Sequence, residues 1–194
     1  MDMNGYETNG TVFVFTGTSG SGRKTIAHQI SKELGLASVV SCTTRTPRPK
    51  EVNGKDYTFI SRKAFIDADI AGEFFQTVEI DGNFYGIRKA DLEEALRQNG
   101  QIYVIVNRYA ANRFKYVFGE RAVRLFIYVN KQTILERMLA RNTPTDVIDH
   151  YMNHYIEEVS YRKDCEHVFE NMDLHETINK VKMTMLAHMP TPTS

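Results

Sequence analysis

The stretch Gly17-Thr18-Ser19-Gly20-Ser21-Gly22-Arg23-Lys24-Thr25 constrains this chain more than any other. It follows the apolar run Val12 to Phe15, which reads as a buried strand. It precedes Ile26 to Leu34, where Ile26, Ile30 and Leu34 recur at helical spacing. A strand, a glycine loop and a helix in that order turn backbone N–H groups and the positive end of the helix toward one point, which suits a polyphosphate. Glycines at 17, 20 and 22 permit the close approach. The spacing approaches G-x-x-x-x-G-K-[ST], with Arg23 in the lysine place and Lys24 in the hydroxyl place. Sliding the motif by one residue would put Lys24 in the lysine place but begin the loop at Thr18, so the register set by Gly17 and Gly22 is kept. A plain helix cap after a strand would leave three spaced glycines and two adjacent cations unexplained.

At 194 residues the chain can bury one substantial core with room for an inserted subdomain. Its 24 basic and 24 acidic residues leave no overall field for nucleic acid or an anionic membrane, so an anion site must be local. No apolar run is long enough to span a bilayer, and Met1 to Gly10 is polar rather than leader-like, so a cytoplasmic protein is expected. Cys42 and Cys165 have no second Cys or His at metal-ligand spacing and read as reduced structural thiols. No metal site of that kind is expected.

Taken in order, Met1 to Gly10 and the tail 190–194 read as frayed ends of a domain spanning 11–189. Ser38 to Cys42 reads as a second strand. Residues 43–87 change character: Pro47, Pro49 and the Asn53-Gly54 turn precede expected strands at Asp56 to Ser61 and Phe74 to Ile80, with a further turn at Asp81-Gly82-Asn83. This reads as a small β-rich insertion. Alternation then resumes, with helices expected over Asp91–Gln98, Tyr109–Phe118, Thr133–Ala140, Asp146–Tyr161 and Leu174–Leu186. The strands expected between them are Ile102–Val106, Val123–Val129 and His167–Phe169. The fold class is α/β: a parallel sheet with helices on both faces, the inserted subdomain, and a helical lid at about 137–156 interrupted near residue 142.

The run Ser41 to Phe59, with Thr43-Thr44-Arg45, Pro47-Arg48, Glu51, Gly54 and Asp56-Tyr57, closely resembles the monophosphate-binding segment of guanylate kinases, S-x-T-T-R-x-P-R-x-G-E-x-x-G-x-D-Y-x-F. The resemblance extends from about Val12 to about Met183 and takes in Gly82-Asn83-Phe84-Tyr85-Gly86 and the region of Asn171. It implies a P-loop nucleoside-monophosphate kinase fold, with ATP as phosphoryl donor and GMP as acceptor. Arg45, Arg48, Tyr57 and Tyr85 would hold the acceptor phosphate, oriented by Glu51. Planar arginine forks on a proline-stiffened turn suit that task.

The resemblance also exposes departures. Guanine is read in the family by a serine and two acids; Ser41 remains, Gln76 stands for the glutamate, and Val106-Asn107-Arg108 stands for D-x-D. An amide offers one acceptor and two donors, and Arg108 would repel guanine's donor edge. Magnesium loses both anchors, to Lys24 and Val106, with Thr25 one residue late. Of the lid arginines, Arg137 and Arg141 match. Others fall on Ala140, on His150 or Tyr151, and on Ile156. The residues expected to act in transfer are Arg23, Arg137 and Arg141. Three readings follow: a binder of a nucleoside monophosphate or other phosphomonoester, even a phosphorylated protein segment, with weak or lost turnover; an active guanylate kinase; or a kinase for another phosphorylated acceptor. The sequence ranks the first slightly ahead, because the lost groups stabilise charge in the reaction.

Overall fold

β1 (Val12–Gly17) is buried along its whole length and pairs in parallel with β7 (Ile102–Ile105) on one side and β8 (Ala122–Tyr128) on the other. In this computed structural model, which describes residues 10–189, β2 (Ala37–Ser38) and β9 (His167–Glu170) complete a parallel sheet of order β2-β7-β1-β8-β9. Strand alternation divides the core in two. Val12 and Val14 face α3 (Lys89–Asn99) and α4 (Arg108–Phe118), packing with Leu92, Leu96, Ala110 and Phe114. Phe13 and Phe15 face α1 (Arg23–Leu34) and α7 (Leu174–Ala187), packing with Ile26, Ile30, Ile178 and Val181. Because β7 and β8 flank β1, the chain switches sides at the carboxyl end of β1, where sheets of this kind place their ligands.

The insertion is a second sheet of order β4-β3-β6-β5, built from β3 (Cys42–Thr43), β4 (Thr58–Phe59), β5 (Phe74–Ile80) and β6 (Asn83–Arg88), with α2 (Arg62–Ile70) across it. Its small core stacks Phe65 between Phe74 and Phe84, with ring centroids 4.4 and 5.3 Å away. A Cβ on Gly86 would lie 2.8 Å from the Phe74 ring. Consecutive side chains of β5 point to opposite faces, so Phe75 leaves this core and lies on Phe114 of α4, 4.8 Å away, in the main core. Consecutive phenylalanines therefore belong to different cores.

Several sequence expectations are corrected. The strand expected over Ser38–Cys42 is two strands in different sheets: the last bond to the parallel sheet runs from Val39 N–H to the Tyr103 carbonyl, and the chain then crosses to the insertion. The strand expected over Asp56–Ser61 shrinks to Thr58–Phe59. Asp56 turns back to accept from Val52 N–H at 2.7 Å, and Ser61 caps α2 by accepting from Ala64 N–H. That serine cap was the overlooked sign of α2. β6 was also overlooked; it follows a two-residue turn in which Asp81 (φ 51°) and Gly82 (φ 71°) are both left-handed. Gly10 is buried, and a Cβ there would lie 1.2 Å from the Gly100 carbonyl, so it is not frayed. The segments 1–9 and 190–194, also expected to be frayed, lie outside the described residues. Beyond β8, α5 (Lys131–Ala140) and α6 (Thr145–Ser160) share a core of Val129, Ile134, Met138, Ile148 and Tyr155, and the chain reverses between them at Asn142 (φ 52°). No helix among the described residues is long and apolar enough to cross a membrane.

A charge lies buried in the face that β8 turns to α4. Arg124 donates to both Glu166 oxygens and to Asn112 and the Tyr161 hydroxyl, while Lys115 lies 3.1 Å from Glu166. Burial works against the Glu166 carboxylate, but the hydrogen bonds from Arg124 and Lys115 outweigh it and hold its pKa at about 2 instead of 4.5. Burial, with Cys165 adding to it, pushes Tyr161 up to about 12. A carboxylate with a depressed folded pKa contributes stability that is present above its unfolded pKa and lost as pH falls through the folded one. Glu166→Gln should therefore cost about 1.5–3 kcal/mol at neutral pH, the scale of hydrogen bonds to a charged group. In urea titrations the gap between unmodified and variant protein should narrow as pH falls from 4.5 toward about 2.

Candidate functional site

The loop 17–22 joins the end of β1 to α1 and contains three left-handed glycines: Gly17 (φ 137°), Gly20 (φ 76°) and Gly22 (φ 86°), the last serving as N-cap of α1. A Cβ on Gly17 would lie 1.8 Å from the Ile127 carbonyl, and one on Gly22 would lie 2.7 Å from Asn171 Nδ2. Asn171, just past β9, donates its amide to the Ser21 carbonyl at 2.7 Å and its N–H to the Tyr128 carbonyl at 2.7 Å, tying the loop to the end of β8. The hydroxyls of Thr18 and Ser21 are buried without a hydrogen-bond partner among the described residues. Orphaned buried donors at a glycine turn and helix N-terminus fit the oxygens of a phosphate chain. Arg23 donates to the carbonyls of Gly17 at 2.9 Å and Val106 at 3.3 Å, so its guanidinium spans the ends of β1 and β7.

Arg45, Tyr57 and Tyr85, three of the four residues expected to hold an acceptor phosphate, come together in the insertion. Arg45 Nη2 donates to both Glu51 oxygens at 2.9 Å, and Glu51 also accepts from Arg48 N–H at 2.8 Å. Burial opposes the Glu51 charge, but Arg48 N–H and Arg45 together hold its pKa below the ordinary carboxylate value. Burial likewise opposes the Arg45 charge, and Glu51 followed by Tyr85 holds its pKa up. Arg45 lies 5.5 Å over the Tyr57 ring, and the Tyr57 and Tyr85 rings meet edge to face at 5.9 Å. Arg48 is exposed. Lys50, where the family pattern carries glycine, takes the left-handed conformation (φ 73°) that a glycine would adopt without strain. Ser41 is half-buried, and its carbonyl accepts from Thr58 N–H.

The departures from the family pattern are engaged elsewhere. Lys24 pairs with Asp56 of the insertion and lies 5.7 Å from the Tyr57 ring. Gln76 donates its amide to the Thr77 carbonyl at 2.8 Å, which spends a donor and leaves the side-chain oxygen as acceptor. Val106 is buried and lends its carbonyl to Arg23, while Asn107 caps α4 through Ala110 N–H. Arg108 does not join the clamp: it pairs with Glu157 of α6 and reaches the Tyr109 hydroxyl at 2.6 Å. Arg137 donates to the Asn171 carbonyl at 2.9 Å, whereas Arg141 is exposed at the end of α5. Glu158, which the sequence reading assigned no role, accepts from Ser19 N–H at 2.9 Å and from its hydroxyl at 3.0 Å. Asn171 was likewise given no role, although its place at the end of a core strand facing the glycine loop was a usable sign. At the two positions that the resemblance assigns to the magnesium anchors, Lys24 is paired with Asp56 and Val106 is buried, while Thr25 is exposed.

Fold and site together define a class of small α/β proteins in which a glycine loop at the carboxyl end of the central strand of a parallel sheet meets an inserted β-rich subdomain that carries a paired arginine and glutamate. The guanylate kinase family model matches residues 9–188. Guanylate kinases of Wolinella succinogenes and Clostridioides difficile are 32% and 30% identical, covering 88% and 89% of this chain and 80% and 85% of their own lengths. The crystal structure of guanylate kinase from Anaplasma phagocytophilum has a similar fold, with a TM-score of 0.78 over 95% of this chain and 89% of that one at 24% identity. The chain belongs to the guanylate kinase family.

The loop geometry ranks its glycines. Gly20 has only the Ile134 side chain nearby, at 3.8 Å from a built Cβ. Gly20→Ala should then cost only the left-handed strain, about 1–2 kcal/mol. Gly22→Ala should cost more by displacing Asn171, and Gly17→Ala most, because a backbone carbonyl cannot yield. Thermal midpoints should fall in that order, by about 2–4 °C for each kcal/mol.

Proposed function

We propose that this protein is a P-loop nucleoside-monophosphate kinase that transfers the γ-phosphate of ATP to a nucleoside monophosphate, with GMP the first acceptor to test. The observation that carries the reading is the position of Tyr57, which lies 5.5 Å from Arg45 of the clamp and 5.7 Å from Lys24 of the loop helix. Two phosphates held at these surfaces would be neighbours, which is the positioning that phosphoryl transfer requires. Arg23 at the loop and Arg137 and Arg141 on the lid side are the groups proposed to stabilise the moving charge. Similarity along nearly the whole chain to proteins named guanylate kinases supports turnover over the binding-only reading that the sequence ranked ahead. So does Arg108, because its engagement with Glu157 removes the expected repulsion from the base site. A cytoplasmic setting is part of this proposal.

Two finer features belong to the reading. Guanine should be favoured only modestly, since the Gln76 oxygen offers a single acceptor; one hydrogen bond of about 1–1.5 kcal/mol corresponds to roughly tenfold between GMP and AMP. Nucleotide should bind with little dependence on magnesium, because Lys24 and the buried Val106 stand at the two positions that the family resemblance assigns to the anchors of the ion. The Lys24–Asp56 pair also favours a second reading, a phosphomonoester binder of low turnover, since a charge committed to Asp56 is less available to the reaction.

A coupled ADP-release assay with GMP, AMP or IMP, each with magnesium and with EDTA, separates these readings. Turnover with GMP above the no-acceptor blank supports the kinase, and none with any acceptor, alongside calorimetric binding, supports the binder. The clamp is tested in parallel: Arg45→Ala should weaken GMP by about 1.5–3 kcal/mol in calorimetry, as expected for lost bonds to a charged phosphate. An unchanged affinity would remove the clamp from the reading.

A further inference from the structure

Three positions where the family pattern is lost carry a basic side chain, and each meets an acid on a different part of the molecule. Lys24, in the place of the loop hydroxyl, pairs with Asp56 of the insertion. His150, at a lid position expected to hold an arginine or to neighbour one, has Nε2 3.1 Å from Asp81 Oδ2 at the tip of the β5–β6 hairpin, a contact that is an ion pair when the imidazole is protonated. Arg108, in the place of a strand carboxylate, pairs with Glu157 and donates to its carbonyl at 3.3 Å, joining the start of α4 to the last turns of α6. The contacts therefore run from loop helix to insertion, from insertion to lid, and from lid back to the core. Glu158 closes the circuit a second time by taking the Ser19 N–H and hydroxyl.

We propose that Lys24, Arg108 and His150 are positioning residues that hold the insertion and the lid closed over the glycine loop with the protein's own charges. Isolated pairs on a protein surface contribute little to folding. These are oriented by further contacts. Asp56 is also held by Val52 N–H at 2.7 Å and its side chain is 14% exposed, while the Arg108 guanidinium lies 4.7 Å over the Tyr109 ring. The left-handed turn at Asp81 and Gly82 aims the Asp81 carboxylate outward from the hairpin tip toward α6. Each pair opposes a separation between two of the three parts, core, insertion and lid, so their effects combine on the open–closed equilibrium and not on the stability of the sheet. Insertion and core remain joined through Phe75 when the pairs are broken, which leaves the movement a rotation about that anchor. The proposal rests on loop and clamp being two halves of one site, but closure needs no substrate, so it is measured independently of turnover.

The test is a spin-label distance between Ile70→Cys on the insertion and Asp146→Cys on the lid, in ligand-free protein with Cys165→Ala. The unmodified charge set should give one narrow, short distribution at low salt. It should lengthen and broaden as the screening length falls from about 10 Å at 0.1 M to about 3 Å at 1 M. Lys24→Asp or Asp81→Asn should produce the open distribution at low salt without moving the thermal midpoint. The exchange Lys24→Asp with Asp56→Lys should restore the narrow one. A distribution that is already broad at low salt, that ignores salt, or that the charge exchange fails to restore overturns the proposal. So does a variant whose distance changes only together with a fall in thermal midpoint, since that would make the pair a prop of the fold.

Discussion

At Gly17 the backbone of β1 passes so close to the Ile127 carbonyl of β8 that a single methyl group would sit 1.8 Å from its oxygen. The loop depends on that approach. It brings Thr18 N–H to the Ile127 carbonyl at 3.1 Å and starts the turn beside β8, where Asn171 can reach the Ser21 carbonyl. The same asparagine lends its own carbonyl to Arg137, so the lid helix α5 is referenced to the loop through one residue. The loop, Asn171 and α5 are thus linked to a backbone contact within the sheet.

The electrostatics are local, as a chain of 24 basic and 24 acidic residues requires. Acids accompany four of the basic residues described above: Glu51 holds Arg45, Asp56 holds Lys24, Glu157 holds Arg108 and Glu166 holds Arg124. Each pairing fixes a long side chain in one direction at the cost of part of its charge. At Arg45 the result is a pre-formed fork with little rotamer freedom left. At Arg108 the same kind of pairing has the opposite effect and draws the guanidinium away to the lid.

The parallel sheet and its loop were legible in the sequence because their signals are local: continuous apolar strands, a glycine spacing and helical periodicity. The pairing of Arg45 with Glu51 was legible through the spacing of its motif. What could not be read were choices made between distant segments. Ser38 to Cys42 is one apolar run, yet it serves two sheets because Tyr103 claims its beginning and Gly86 its end. Asp56 resembles the start of a strand, but it is recruited by Lys24, which lies 32 positions earlier in the chain. The charge on Arg108 suggested a hostile base site, and only the fold shows that Glu157 claims it. Helix α2 was missed for a different reason, since a single serine cap announces it and the apolar pattern behind that cap is weak.

Phe74 and Phe75 stand side by side in the chain and are buried in different cores. A small domain inserted in a loop would ordinarily be free to melt on its own, because few contacts tie it to its host. Here the backbone between the two rings cannot loosen without emptying a site in the sheet–α4 core, where Phe114 and Phe118 both contact Phe75. Insertion and parent sheet should therefore unfold as one cooperative unit, and the slowest-exchanging amides of β5 should report the global stability of the protein.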